Sequence, residues 1–165
     1  LKYSFSAPWS KLIKRDFILK QNILFDEVIA SNDVMFSAKL GYKIESFYVS
    51  RETIYCVTKN KGSLTTKTEQ PIFNTRVTVF INYYHFLKNR LTKKEWKYLG
   101  LNGSLLLLQA LKYNYRISKI ISLYILLKKN NIKIIDFKLF NPINFVRKSF
   151  GYIKKYKKDK KYNVK

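Results

Sequence analysis

The stretch from Ser31 to Tyr42 constrains the fold more than any other part of the sequence. A polar step from Ser31 to Asp33 opens onto an apolar run that stops at Gly41. A short polar side chain at a helix start accepts hydrogen bonds from backbone N–H groups, and glycine favours the left-handed conformation that ends many helices. The pattern predicts a short helix capped by Ser31 or Asn32 and ended by Gly41, with Asp33 in its first turn.

Asp33 has two interpretations at this position. A carboxylate held at a helix start beside a cleft is suited to act as a general base. An acidic residue in a first turn is also common as a capping group on a solvated surface, because the helix dipole alone favours it there. The position of Asp33 by itself leaves both interpretations open.

The charge of the chain predicts polyanionic partners. Among 165 residues, 33 Lys and Arg stand against 10 Asp and Glu, which gives a formal net charge of +23. Nucleic acid, anionic lipid and phosphate-bearing substrates all attract such a surface. The single cysteine, Cys56, excludes an internal disulfide and a cysteine-rich zinc site.

The length and composition of the chain predict one folded domain. With 47% hydrophobic and 16% aromatic residues, the chain is rich enough in apolar side chains to form a core. No apolar run approaches the roughly 20 residues that span a bilayer, and no secretory signal opens the sequence. We expect a cytoplasmic protein, or one bound peripherally at the inner face of the membrane.

The local patterns predict an α+β fold. A helix is expected from Pro8 to about Lys20, and two strands are expected at 42–49 and 53–58, where aromatic and β-branched residues concentrate. The second half reads as predominantly helical, because apolar stripes recur there and Thr92 opens a capping-box pattern. Helices are expected from about 70 to 88, from the capping box to about Gly100, from 105 to about 113 and from 117 to about 129.

Three segments follow from this interpretation. Residues 1–66 carry the Asp33 motif and the two strands, residues 67–153 are helical, and residues 154–165 form a basic tail that is expected to fray. The polar loop from Asn60 to Thr66 has the glycine, lysines and hydroxyls of an anion-binding segment, although an ordinary surface loop has the same composition.

A series of short motifs runs through the first part of the chain. In order they are Pro8-Trp9-Ser10-Lys11-Leu12, Phe25-Asp26-Glu27, Ser31-Asn32-Asp33-Val34-Met35-Phe36, Gly41-Tyr42, Ile54-Tyr55 and Lys61-Gly62-Ser63-Leu64-Thr65. Together they resemble the acceptor-side half of family-2 glycosyltransferases, the inverting GT-A type enzymes that build bacterial capsular and cell-surface polysaccharides. The resemblance covers the chain up to about residue 70 and implies the C-terminal portion of a GT-A fold.

The resemblance implies a catalytic role for Asp33. In this family an acidic dipeptide opens a helix, and its second acid removes the proton from the acceptor hydroxyl as that oxygen attacks the anomeric carbon. By similarity the second acid is Asp33, while Asn32 stands where an acid is commoner.

Further residues take expected roles from the same resemblance. Trp9 and Lys11 would lie beside the acceptor, with the indole offering an apolar face to a sugar ring. The loop of Lys61, Gly62 and Ser63 would close over the donor diphosphate, where a cation stabilises the leaving group. The partners implied are a nucleotide-sugar donor and a glycan or lipid-linked acceptor.

The sequence departs from the family in its donor side. Family members bind the nucleotide-sugar on an N-terminal α/β half and position a divalent metal, Mg or Mn, with an Asp-x-Asp motif there. No Asp-x-Asp occurs in this sequence. The resemblance therefore implies a fragment whose N-terminal half is missing, with exposed apolar surface around Tyr3, Phe5 and the 42–57 strands where that half would pack.

Two other function classes remain open at this point. The chain is also consistent with a small basic module that binds nucleic acid or anionic membrane, and with an inactive truncated remnant. Its lysines are spread along the whole sequence, and no specific nucleic-acid motif appears. The charge run at 154–165 is typical of a solvated tail, and anionic membrane lipid is the best functional alternative for it.

Overall fold

The computed structural model describes residues 2–3, 6–53, 55–56, 58, 69–113 and 115–134. Their regular structure is helical, and none of these residues forms a strand. A 3₁₀ helix, Pro8–Ser10, precedes the α-helices, which are α1 Arg15–Lys20, α2 Asn32–Lys43, α3 Gln70–Lys88, α4 Lys93–Leu99, α5 Ser104–Lys112 and α6 Ile117–Lys129.

The predicted α+β fold is wrong for the described part of the chain. Where a strand was expected at 42–49, the first two residues belong to α2 and the rest form neither helix nor strand. Tyr48 there is 92% exposed. A segment with β-forming residues becomes a strand only when a neighbouring strand supplies hydrogen bonds and a face to bury, and none of the described residues forms such a strand. The strand expected at 53–58 is likewise absent from residues 53, 55, 56 and 58.

The N-terminal helix differs from the expectation as well. The helix predicted from Pro8 to Lys20 is divided into the 3₁₀ helix and α1, because the backbone at Lys11 and Lys14 is extended. Leu12, which follows the extended Lys11, is 95% exposed.

The start of α2 is only partly as predicted. Asp33 lies in the first turn, as the sequence indicated. Ser31 occupies the capping position, but it has a left-handed backbone (φ 62°) and its side chain makes no capping hydrogen bond. Asn32 is the first residue of the helix rather than its cap.

Gly41 does not end α2, which continues to Lys43. A Cβ at Gly41 would lie 2.6 Å from the carbonyl oxygen of Lys2 and 3.1 Å from the ring of Tyr3. The absence of a side chain therefore serves the close approach of the N-terminal residues to this helix rather than a helix stop.

The helical second half is confirmed in the residues described there. α3 and α6 match the predicted ranges closely, and the capping box at Thr92 is formed with Glu95. The main core lies among α3, α5, α6 and residues 132–134, and it comprises Phe73, Val77, Tyr84, Leu106, Ala110, Tyr113, Leu123, Leu127, Ile132 and Ile134.

A smaller core joins the first part of the chain to α2. Ile23, Phe36 and Leu40 are buried together, and partly buried side chains from residue 13 and from α1 pack against them. The other side of α2 packs along α3. α2 is thereby held between the N-terminal segment and the helical second half.

Candidate functional site

The face of α2 that carries Asp33 is held against the N-terminal segment by Ser37. These two residues are one helical turn apart and so lie on the same side of α2. Ser37 is buried, and its Oγ donates a 2.5 Å hydrogen bond to the carbonyl oxygen of Ser6. Residue 6 and the segment that follows it are therefore fixed beside the Asp33 face.

The 3₁₀ turn directs Lys11 back toward this face. The carbonyl oxygen of Ala7 accepts hydrogen bonds from Ser10 Oγ at 2.9 Å and from Lys11 Nζ at 2.7 Å. Pro8 suits the start of this turn because its missing N–H would have no partner there.

Lys11 and Asp33 are electrostatic neighbours. Burial lowers the pKa of Lys11 from its ordinary value of 10.5, and the charge of Asp33 opposes that lowering. An ammonium group partly withdrawn from water is favoured by a nearby carboxylate. The charge of Asp33, in the first turn of α2, therefore acts on the Lys11 side chain.

An aromatic pair stands next to these charged groups in the sequence. The rings of Trp9 and Tyr55 are stacked, with centroids 5.3 Å apart and an angle of 24° between their planes. Trp9 is 50% exposed and Tyr55 56% exposed, so the stack leaves apolar ring surface open to solvent. Exposed aromatic surface of this kind suits the apolar face of a sugar ring or another flat ligand.

A second set of contacts fixes the extended segment before α2. Phe25 stacks on Phe36 with centroids 4.0 Å apart and nearly parallel planes. Asp26 forms a salt bridge with Lys39, with Oδ1 and Nζ 3.2 Å apart. Asp26 is thus paired on the side of α2, and Asp33 is the acidic residue of the first turn.

The structure brings some of the predicted site residues together. Asp33 and Lys11 interact, Trp9 lies two residues before Lys11, and Asn32 is exposed at the first position of α2. The predicted donor loop of Lys61, Gly62 and Ser63 lies outside the described residues.

Two residues of this site were not predicted from the sequence. Ser37 positions the N-terminal segment, and Tyr55 completes the aromatic pair with Trp9. The helical spacing of Ser37 from Asp33 could have indicated the shared face. Nothing local in the sequence pairs Tyr55 with Trp9, because that contact depends on the tertiary structure.

A divalent cation does not fit the described residues of this site. Across the residues with described positions, no three His, Cys, Asp or Glu side chains gather as metal ligands. Mg²⁺ and Mn²⁺ prefer oxygen-rich ligand sets, and Lys11 places positive charge beside the one carboxylate in the turn. The metal implied by the resemblance stays a prediction for the donor side of a complete enzyme.

A shallow groove of about 310 Å³ lies elsewhere, between α3 and α6. Two of its polar side chains bond to residues of α3: Tyr115 Oη donates to Asn74 Oδ1 at 2.5 Å, and Lys119 Nζ donates to Gln70 Oε1 at 2.7 Å. These contacts join the two helices and bring together no acid–base pair.

Comparison with known proteins found no relative of this chain. No family model, curated protein or solved structure matches the chain. Within the part of the chain that the structure describes, no helix combines the length and apolar composition needed to cross a membrane.

Proposed function

We propose that this chain is the acceptor-side part of an inverting glycosyltransferase in which Asp33 is the catalytic base. One observation carries the proposal: the Ser37 hydrogen bond fixes the segment that leads to Trp9 and Lys11 against the face of α2 that carries Asp33, and the charge of Asp33 acts on Lys11. The motifs that resemble family-2 glycosyltransferases include these residues or their immediate neighbours.

Inverting sugar transfer needs a single base, which removes the proton from the acceptor hydroxyl. The acceptor hydroxyl oxygen attacks the anomeric carbon of the donor, and the bond from that carbon to the diphosphate oxygen breaks. Asp33 takes the hydroxyl proton, and the departing diphosphate keeps the electron pair. By the resemblance, the loop of Lys61, Gly62 and Ser63 stabilises the negative charge on the diphosphate.

The aromatic pair supports an acceptor site at this place. Trp9 and Tyr55 expose about half of their surfaces beside the segment that carries Lys11. A sugar ring packed on the indole would be held while Lys11, as a hydrogen-bond donor, orients its hydroxyls. A glycan or a lipid-linked sugar is the acceptor class that fits.

The proposal also requires a nucleotide-binding unit that contacts this chain. Large apolar side chains are exposed in the first part of the chain, and such a unit would cover them. They include Leu12, Leu19, Leu24, Ile29, Tyr48 and Val49. Of the positions expected to face that unit, Tyr48 and Val49 are exposed, Tyr3 is partly buried and Phe5 lies outside the described residues.

The test joins this chain to the segment encoded directly upstream of Leu1 and assays sugar transfer from nucleotide-sugars to glycan and lipid-linked acceptors. We expect transfer by the joined protein and a loss of about 100- to 10,000-fold in Asp33→Asn. Asp16→Asn, an exposed acid in the first turn of α1, is the matched control and should keep full activity. An upstream segment without a nucleotide-binding domain, or an active Asp33→Asn protein, would contradict the proposal.

A further inference from the structure

The outer side of α6 carries an apolar stripe that its own core does not cover. Ile117, Ile121, Tyr124 and Ile125 recur at spacings of three and four residues, so they share one side of the helix. Their exposed fractions are 77%, 54%, 42% and 46%. The buried face of α6 is formed by different residues, Leu123 and Leu127.

α5 also has exposed apolar residues on one side and buried apolar residues on another. Leu105, Leu108 and Leu111 are each about 60% exposed, whereas Leu106 and Ala110 are buried in the main core. A helix of a globular protein normally has one apolar face toward the core and a polar face toward water. α5 and α6 pack on each other and are apolar on both sides.

The charged residues in the stretch of sequence that contains α5 and α6 are all positive. Between Glu95 and Asp136 the sequence contains no acidic residue. The basic residues in that interval are Lys97, Lys112, Arg116, Lys119, Lys128, Lys129 and Lys133. Lys128 lies over the ring of Tyr124, with Nζ 6.0 Å from the ring centroid, so its aliphatic stem follows the apolar stripe.

We infer that α5 and α6 dock on the surface of an anionic membrane. Exposed leucine, isoleucine and tyrosine side chains enter the boundary between headgroups and acyl chains, and the lysines bind lipid phosphates. This combination of an apolar face with exclusively positive charges is characteristic of helices that lie in the plane of an anionic bilayer. The inference does not depend on the proposed glycosyltransferase function.

Vesicle flotation of the full chain tests this surface. We expect binding to phosphatidylcholine vesicles that contain phosphatidylglycerol, little binding to phosphatidylcholine alone, and weaker binding at high salt. Leu108→Asp and Ile121→Asp should each lower the partition coefficient by about tenfold or more, since each removes an inserted side chain. Leu24→Asp is the matched control, because Leu24 and Leu108 are both 62% exposed.

A site-specific probe identifies the inserted face. In a Cys56→Ser background, which removes the free cysteine, Ile121→Cys and Leu24→Cys are each labelled with an environment-sensitive dye. Anionic vesicles should shift the emission of the dye at position 121 to shorter wavelength and leave the dye at position 24 unchanged.

Three results would overturn the inference. The first is no binding to anionic vesicles. The second is binding by all three Asp variants that equals wild-type binding, which would assign the lipid contact to lysines elsewhere, such as those of the basic tail. The third is a wild-type dimer that Leu108→Asp dissociates, which would assign the apolar face to a second copy of this chain.

Discussion

Asp33 opposes the lowering of the pKa of Lys11 across two separate elements, the 3₁₀ turn and α2. Burial withdraws the Lys11 ammonium from water, and the carboxylate partly compensates. Ser37 contributes to this arrangement, because its Oγ donates a 2.5 Å hydrogen bond to the carbonyl oxygen of Ser6 and so ties the N-terminal segment to α2. A side-chain hydrogen bond one turn away from Asp33 thus helps to hold the segment that carries Lys11 near α2.

The first prediction tests this coupling without any substrate. Asp33→Asn should lower the pKa of Lys11 further below 10.5, because burial then acts without the opposing charge. NMR titration of the Lys11 side-chain resonances measures the change. Asp16→Asn is the control and should leave that titration unaltered. An unchanged pKa in Asp33→Asn would show that the two groups are not neighbours.

The second prediction compares adjacent leucines of α6. Leu127 is fully buried, with methyl carbons against Gly103, whereas Leu126 is 42% exposed. Leu127→Ala should lower the free energy of unfolding by about 2–5 kcal/mol, since it leaves a cavity in the main core. Leu126→Ala should cost clearly less. Urea unfolding of both variants measures the difference, and equal losses would contradict the described packing.

The helical second half was predictable because its signals are local. Apolar residues at helical spacing gave the ranges of α3 and α6, and the capping box gave the start of α4. A capping box needs only the side chains of Thr92 and Glu95, which are three residues apart. Sequence patterns that involve only residues a few positions apart do not depend on the rest of the fold.

The first part of the chain was harder to predict because its structure depends on distant contacts. Tyr42 and its successors have β-forming side chains, but a strand also needs a partner strand. Gly41 reads as a helix stop in the sequence, while its structural role is to admit Lys2 and Tyr3.

The candidate site was only partly predictable, because it too depends on contacts between residues far apart in the sequence. The resemblance and the helix-start pattern identified Asp33 and Lys11 as candidates. Their electrostatic coupling depends on the tertiary structure, in which Ser37 bonds to Ser6, a residue far away in the sequence. The aromatic pair of Trp9 and Tyr55 is likewise a tertiary contact.

The third prediction concerns stability at alkaline pH. Burial and the neighbouring Tyr3 raise the pKa of Tyr83 above 10.0. The folded state therefore holds the phenol proton more tightly than the unfolded state, and the associated stability is present below pH 10.0 and lost as the pH rises through the folded pKa. Tyr83→Phe removes this loss, so its unfolding free energy should fall less steeply above pH 10.0.

Urea unfolding at neutral and alkaline pH tests the Tyr83 prediction. At neutral pH, Tyr83→Phe should cost about 1 kcal/mol or less, because it removes only the 3.4 Å hydrogen bond to the carbonyl of Tyr3. Tyr98→Phe, at a tyrosine that is 80% exposed, is the control and should keep the wild-type alkaline decline. The same decline in Tyr83→Phe would exclude a raised pKa at that residue.

The fourth prediction concerns the start of α4. Thr92 Oγ1 accepts a hydrogen bond from the backbone of Glu95, and the Glu95 carboxylate accepts bonds from the Thr92 hydroxyl and backbone. Thr92→Ala should destabilise the protein by about 1 kcal/mol through loss of the cap. Hydrogen bonds from Thr92 also lower the pKa of Glu95 below 4.5, so that pKa should rise in the variant.

The capping variant has a control within α3. Thr78 is exposed and its hydroxyl donates to the carbonyl of Asn74 in the same helix. Thr78→Ala should leave stability unchanged or raise it slightly, because alanine is the better helix former. If chemical denaturation gave the same loss for both variants, the effect could not be assigned to the cap.

The last prediction tests whether Gly41 is required for the close approach of Lys2 and Tyr3 to α2. If Gly41 served only the helix, Gly41→Ala would stabilise α2, since alanine is favoured over glycine by about 1 kcal/mol in a helix interior. The added Cβ would also lie 2.6 Å from the Lys2 carbonyl oxygen, so residues 2 and 3 must move away. We expect Gly41→Ala to keep its helical circular dichroism while the pKa of Tyr83 returns toward 10.0, because Tyr3 no longer covers it. An unchanged Tyr83 titration would show that Lys2 and Tyr3 do not pack on α2.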